Sequence, residues 1–136
     1  MIYITYDKQN GQILGRADIP DHIIELQTAD NILWIDADPL TQYIDLETLQ
    51  PMPIPEKPNE YYQWDVNEKI WVFDPILAEF LIVQKRNKSL QKSDWTQLPD
   101  VPLETKAIWA IYRQALRDIP QQETFPENVI WPTPPE

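Results

Sequence analysis

Residues 93–100 read SDWTQLPD, residues 109–120 read WAIYRQALRDIP and residues 129–132 read VIWP. The first segment has the composition of a loop. The second places apolar residues at steps of three and four and ends at a proline, which is typical of an amphipathic helix. The third belongs to a proline-rich tail that we expect to be extended. Together the segments predict a helix that follows a reversal of the chain and is itself followed by an aromatic tail.

A second helix is predicted upstream of the loop, because Pro75 suits a first helical turn. Its predicted apolar face contains Ile76, Phe80, Val83, Asn87 and Leu90, widened by Leu77 and Leu81. In the helix after the loop, expected near residues 103–119, the predicted face contains Ile108, Ile111, Tyr112, Ala115 and Ile119, with Trp109 and Leu116 beside it. Basic residues are placed on the opposite, solvated side: Lys106, Arg113 and Arg117. Two helices joined by a short loop predict an antiparallel hairpin over residues 75–120.

Short strands are predicted before Pro75. An Asn10–Gly11 turn between residues 2–6 and 12–17 predicts an N-terminal hairpin. Further strand candidates are residues 23–26, 32–35 and 42–45. Residues 61–65 and 70–74 predict a second hairpin, with Trp64 and Trp71 on facing strands.

Residues 51–58 read PMPIPEKP, and four of these eight residues lack an amide hydrogen. We therefore expect a polyproline-like linker that joins neither a sheet nor a helix. The predicted fold class is α+β: a small antiparallel β-rich region, then an antiparallel helical hairpin and an extended Pro-rich tail. The predicted division is a β-rich domain (1–50), a linker (51–60), an aromatic β-hairpin (61–74), the helical hairpin (75–120) and the tail (121–136).

Charge is distributed unevenly along the chain. Residues 1–74 hold 14 acidic and four basic side chains, whereas residues 75–120 hold five acidic and seven basic ones. The acidic half repels phosphate, so nucleic-acid binding is not expected. No apolar run approaches the roughly 20 residues of a membrane helix, and no signal peptide is evident. The chain has no cysteine, which excludes disulfides and thiolate metal sites. We expect a soluble protein of a reducing cytosol.

No catalytic constellation is recognisable. His22 is the only histidine, so a catalytic triad or a His-rich metal site would require it, and a surface loop is the favoured interpretation. Asp36 and Asp38 lack the continuation of a calcium loop. The two glycines are isolated, which excludes a phosphate-binding glycine loop. Acids around the second hairpin are interpreted as turn residues rather than a catalytic pair: Asp65, Glu68 and Asp74. The prediction is a protein without catalytic activity, cofactor or metal.

The sequence contains five short motifs: SDW at 93–95, Trp109, YR at 112–113, LRD at 116–118 and WP at 131–132. Together they resemble the C-terminal region of phage tail assembly chaperone and tail-fibre assembly proteins. The resemblance covers about residues 85–135. It implies a non-enzymatic protein that binds a phage tail or tail-fibre protein and helps it fold or assemble in the host cytoplasm. The alternative that it leaves open is a structural accessory protein retained in the virion tail or fibre.

Six residues are candidate partner contacts: Trp95, Tyr112, Arg113, Arg117, Phe125 and Trp131. Each has a structural alternative. Trp109 and Tyr112 are either the core of the hairpin or a binding stripe. Arg113 and Arg117 are either a solvated face or ionic contacts with the acidic half or another protein. Trp131 either docks on this chain, which is favoured, or enters a partner. Formation of a homo-oligomer is left open.

We expect residues 125–135 to be ordered by docking. The loss of conformational entropy is offset by burial of four large side chains: Phe125, Val129, Ile130 and Trp131.

Overall fold

Short antiparallel sheets followed by two helices make up an α+β chain in the computed structural model, which describes residues 1–21 and 29–136. Two compact units are present. Unit 1 comprises residues 1–58 and 63–72, and unit 2 comprises residues 59–62 and 73–136. His22 and the strand predicted at residues 23–26 lie outside the described residues.

The N-terminal hairpin is confirmed. β1 (Ile2–Tyr6) pairs antiparallel with β2 (Ile13–Asp18), and β3 (Ile32–Leu33) pairs on the other side of β1, giving the order β2-β1-β3. β3 is shorter than the predicted strand at residues 32–35. Alternate residues of the hairpin face one apolar core, as its period of two requires. That core contains Ile4, Tyr6, Ile13, Ala37 and Ile44, with Leu33 and Ile35 packed against it.

The expectation that residues 51–58 cannot join a sheet is wrong. β4 (Gln42–Ile44) pairs antiparallel with β5 (Pro51–Pro53). The amide of Asp45 donates to the carbonyl of Gln50 at 3.0 Å, and the amide of Ile54 donates to the carbonyl of Thr41 at 2.8 Å. Because hydrogen-bonded pairs alternate in an antiparallel ladder, Met52 faces β4 while Pro51 and Pro53 direct their missing amides away from it.

The second hairpin is also confirmed, with β6 (Tyr62–Asp65) and β7 (Ile70–Phe73) forming a two-stranded sheet. The rings of Trp64 and Trp71 meet edge-to-face with centroids 5.4 Å apart. At the turn, the ammonium of Lys69 donates to the carbonyls of Asn10 and Val66, and burial lowers the pKa of Lys69.

Unit 2 is built around two helices, α1 (Pro75–Ser93) and α2 (Leu103–Arg117). Asp74 caps α1 by accepting hydrogen bonds from the amides of Ile76 and Leu77, both at 3.0 Å, and Pro75 occupies the first turn as predicted. 3-10 turns follow both helices, at Asp94–Gln97 and Ile119–Gln121. The core of unit 2 contains Ala78, Ile82, Leu116 and Ile119.

The predicted face of α1 is wrong in part. α1 buries Ala78, Ile82 and Ser93, whereas Ile76 and Phe80, both expected in the core, are exposed. α1 carries large apolar residues on more than one side, so its spacing did not single out a face. Ala78 lies in the core with Leu116, and Ser93 accepts from Arg113, so the buried side of α1 is the one that contacts α2.

The predicted face of α2 is also wrong in part. Leu116 and Ile119 are buried and Tyr112 packs against the core, as expected, but Ile108 and Ile111 are exposed. Arg113 is buried, although it was expected on a solvated side. The large apolar side chains of α2 therefore divide between the core and the surface of unit 2.

Replacement of Gly11 with alanine tests the close packing of the first turn against β4. Gly11 has a φ of +76°, its carbonyl accepts from the amide of Ile44 at 2.8 Å, and an added Cβ would lie 2.0 Å from the Ile44 carbonyl oxygen. We expect Gly11→Ala to lower the free energy of unfolding of unit 1 by about 2 kcal/mol or more, through strain and overlap. Urea unfolding followed by NMR signals of unit 1 measures this.

The matched control is Gly15→Ala, where an added Cβ meets only the Thr5 hydroxyl oxygen, at 3.1 Å, and that side chain can rotate away. An equal loss in both variants would contradict the assignment of the effect to the contact between the turn and β4.

Candidate functional site

A buried arginine joins the two helices of unit 2. Only 8% of Arg113 is exposed. One terminal nitrogen of its guanidinium donates to the Leu90 carbonyl and to the Ser93 hydroxyl, both at 2.7 Å, and the other donates to Asp94 Oδ1 at 2.8 Å. The acceptors lie at the C-terminal end of α1, where free carbonyls favour a cation. Arg113 therefore caps α1 from α2.

The same network extends into the connection between the helices. The Ser93 hydroxyl donates to the carbonyl of Ser89 at 2.9 Å, and the buried Thr96 hydroxyl donates to the carbonyl of Ser93 at 2.6 Å. The amide of the Gln97 side chain donates to the carbonyl of Lys106 at 3.2 Å, which ties the 3-10 turn to the start of α2. These bonds satisfy buried polar groups that would otherwise be costly, so they fix the shape of the connection.

Three aromatic rings lie in a row beside this network. The rings of Trp95 and Trp109 have centroids 6.0 Å apart, and those of Trp109 and Tyr112 are edge-to-face with centroids 5.6 Å apart. Trp95 is half exposed, while Trp109 and Tyr112 are partly buried. We call these three residues the aromatic row.

A groove of about 230 Å³ opens next to the aromatic row. We call it the aromatic groove; its lining consists of Ser89, Lys92, Ser93, Trp109, Tyr112 and Pro134. It is smaller than the roughly 300–1,000 Å³ of pockets that hold drug-sized ligands or cofactors. Its size therefore suits a short stretch of side chain or peptide.

The tail packs on the helical hairpin, which confirms the expected docking. Phe125, Val129 and Trp131 contact the core of unit 2, and the ammonium of Lys85 lies 4.4 Å from the centroid of the Trp131 ring. The side chain of Gln122 donates to the carbonyl of Ile130 and accepts from its amide, both at 2.8 Å. The expected burial of Ile130 is wrong, because this pairing leaves its side chain 76% exposed.

An apolar stripe on α2 is uncovered in the described structure. Leu103 is 83% exposed, Ile108 51% and Ile111 74%. Ile108 and Ile111 are three residues apart and therefore neighbours on the helix surface, and Leu103 lies about two turns before Ile111. We call these residues the α2 stripe. Isolated exposed apolar residues are ordinary, whereas contiguous exposed apolar patches are typical of surfaces that bind a partner.

The six predicted contact residues occupy different environments. Trp95 and Arg117 are exposed, and Tyr112 lines the aromatic groove. Arg113, Phe125 and Trp131 are instead engaged within unit 2. The α2 stripe was missed because its isoleucines were assigned to the core. The number of large apolar side chains could have revealed it, because α2 carries more of them than one face of a helix can bury.

Acidic side chains of unit 1 have local structural partners. The pKa of Asp36 lies below its ordinary value because Arg16 donates to it at 2.7 Å. The pKa of Asp38 is lowered by the amide of Leu40 and the hydroxyl of Thr41. Both remain ionised and neither is tuned as a general acid. Among residues 1–21 and 29–136, no group of three or more His, Cys, Asp or Glu could hold a metal ion.

Neither α1 nor α2, the two long helices of the described residues, combines the length and apolar character needed to cross a bilayer.

Removal of the Arg113 side chain tests the cap. Arg113→Ala removes the guanidinium donor from the Ser93 hydroxyl and from the Leu90 carbonyl, which keeps only the longer bond from the Ser93 hydroxyl at 3.1 Å. We therefore expect the free energy of unfolding of unit 2 to fall by about 2–3 kcal/mol. Chemical denaturation followed by tryptophan fluorescence measures this. The control is Arg117→Ala one turn later, where the side chain is exposed and a change within about 0.5 kcal/mol is expected. Similar losses in the two variants would contradict the special role of Arg113.

The docked tail is tested by two neighbouring residues. Trp131→Ala removes a partly buried ring and its contact with Lys85, so we expect unit 2 to lose about 2 kcal/mol, less than a full core truncation. Ile130→Ala keeps the backbone pairing with Gln122 and removes only an exposed side chain, so the loss should stay near 0.5 kcal/mol or below. Thermal unfolding of both variants measures the difference. If the melting temperature of Trp131→Ala equals that of the unmodified chain, the tail does not stabilise the hairpin.

Comparison with protein-family models gives a match over residues 81–136 to the family described as phage tail assembly chaperone protein. The matched region begins within α1 and includes the arginine cap, the aromatic row, the α2 stripe and the docked tail. It covers less than half of the chain. The match confirms the resemblance predicted for about residues 85–135. Comparisons with curated proteins and with solved structures give no match.

Proposed function

We propose that this chain is a non-enzymatic phage tail assembly chaperone that binds a tail or tail-fibre protein through unit 2 and helps it fold or assemble. The observation that carries the proposal is the family match over residues 81–136. The activity needs no catalytic group, since shielding a partner is a matter of reversible contact. The site of action is the host cytoplasm, where new tail proteins are assembled.

The α2 stripe is the proposed contact surface. A partner that is not yet assembled exposes apolar segments that will later be buried, and such segments associate with other exposed apolar surface. Burial of each large apolar side chain stabilises a complex by roughly 1.5–3 kcal/mol before the cost of association. Three such residues, Leu103, Ile108 and Ile111, therefore give a complex that can dissociate when the partner assembles.

Two of the predicted contact residues lie outside the α2 stripe, and in the proposal they add to the contact with the partner. Trp95 offers a half-exposed ring, and Arg117 offers an exposed charge at the end of α2. Aromatic residues and arginine are enriched at protein interfaces because each combines a large contact area with a polar group. Arg113, Phe125 and Trp131 contribute indirectly, by holding the shape of unit 2.

A double substitution in the α2 stripe tests the proposal. The chain is co-expressed with each tail and tail-fibre protein of the same phage, and the soluble and co-purified amounts of those defined partners are measured. We expect Ile108→Lys with Ile111→Lys to reduce recovery of the partner at least tenfold, because two ammonium groups would have to be desolvated at the interface. The melting temperature should be nearly unchanged, since both side chains are exposed.

Leu14→Lys is the matched control, because Leu14 is an exposed apolar residue of unit 1. It should leave recovery of the partner unchanged. Full recovery with the double variant, or absence of any tail protein from the purified chain, would overturn the proposal. If the polypeptide is found in purified virions at a fixed copy number, it is instead the structural accessory protein of the alternative.

A further inference from the structure

We infer that the aromatic groove is a second binding site, and that it takes an extended, proline-containing acidic segment of a partner protein. The inference goes beyond the proposed function, because none of the α2 stripe residues lines this groove. Its occupant is identified by three features of the groove: its ring surfaces, its hydrogen-bond donors and the charge at its rim.

The ring surfaces favour proline. Trp109 and Tyr112 meet edge-to-face, and together they form the aromatic part of the groove lining. Proline rings pack well on such surfaces, and recognition of polyproline segments by aromatic-lined grooves is a recurring mode. The chain itself supplies an example of the fit, because Pro134 of the extended tail forms one wall of the groove.

The donors favour a backbone that offers only acceptors. Two residues that line the groove carry hydrogen-bond donors, the Trp109 indole N–H and the Tyr112 hydroxyl, and within the described part of the chain neither donates to another residue. A polyproline II segment makes no internal hydrogen bonds, and each of its prolines presents a carbonyl but no amide hydrogen. The Trp109 indole and the Tyr112 hydroxyl therefore supply donors for the carbonyls of such a segment.

The rim favours an acidic segment. Residues 80–93 of α1 contain Lys85, Arg86, Lys88 and Lys92, and no acidic residue. Lys92 lines the groove and is exposed, and Lys88 lies one turn before it. Carboxylates in the bound segment would be attracted to these ammonium groups, whereas a basic segment would be repelled.

The arginine cap makes the groove rigid before binding. Ser93 lines the groove and accepts from Arg113, which is adjacent in sequence to Tyr112. The polyproline segment is stiff as well, so neither side loses much conformational entropy on contact. A small site can therefore bind measurably despite its limited area.

The test uses a synthetic acetylated peptide of three Pro-Pro-Glu repeats and the full chain labelled with nitrogen-15. We expect saturable shifts of the Trp95 and Trp109 indole N–H signals, with no shift of the unit 1 tryptophans: Trp34, Trp64 and Trp71. A peptide of Gly-Ser-Glu repeats keeps the charge without the proline, and a peptide of Pro-Pro-Lys repeats reverses the charge. Both should bind at least fivefold more weakly.

Three variants locate the site. Tyr112→Leu should raise the dissociation constant at least fivefold, and so should Lys92→Glu, whereas Lys92→Arg should keep it within twofold because the charge remains. If Tyr112→Leu is unstable, comparison of Lys92→Glu with Lys92→Arg, both at an exposed position, tests the inference by itself. The double variant at Ile108 and Ile111 should bind the peptide normally, which separates this inference from the proposed chaperone function.

The inference is overturned if the Trp95 and Trp109 signals show no saturable shift at millimolar peptide. It is also overturned if Gly-Ser-Glu repeats bind equally well, or if Lys92→Glu leaves binding unchanged.

Discussion

Burial of the Arg113 guanidinium is the constraint on which the arrangement of unit 2 depends. A buried cation is tolerated only where its donors are met, and the acceptors available here are at the end of α1: the Leu90 carbonyl, the Ser93 hydroxyl and Asp94. Rotation of α2 about its axis, or a shift along it, would break these bonds together. The cap therefore sets the register of the helices, directs Leu116 into the core and leaves Ile108 and Ile111 outside.

Local signals in the sequence predicted the elements well. The Asn10–Gly11 turn and Pro75 each have a backbone requirement that the sequence reveals, and the first hairpin and α1 occur where those requirements indicated. The faces of the helices were predicted less well because they depend on non-local contacts. Arg113 resembles a solvated residue when read within α2, and only Ser93 and Asp94, some 20 residues earlier, explain its burial.

The candidate site was predicted in part for the same reason. The resemblance singled out Ser93, Asp94 and Arg113, and the structure brings the three together in a cap that the sequence did not predict. Docking of the tail followed from the cost of leaving Trp131 in water, yet the outward direction of Ile130 required knowledge of its pairing with Gln122. The α2 stripe was hidden because exposure of isoleucine has no signature in spacing alone.

The two prolines of β5 determine what the outer edge of its sheet can accept. On that edge the backbone positions that would donate hydrogen bonds are those of Pro51 and Pro53, which have no amide hydrogen. On the other side of the sheet, the amide of Ile44 is already bonded to Gly11. A strand of another polypeptide would therefore meet carbonyl acceptors but no amide donors along β5, and could not extend the β4–β5 sheet by regular pairing. Such an edge resists being drawn into aggregates that grow by strand addition.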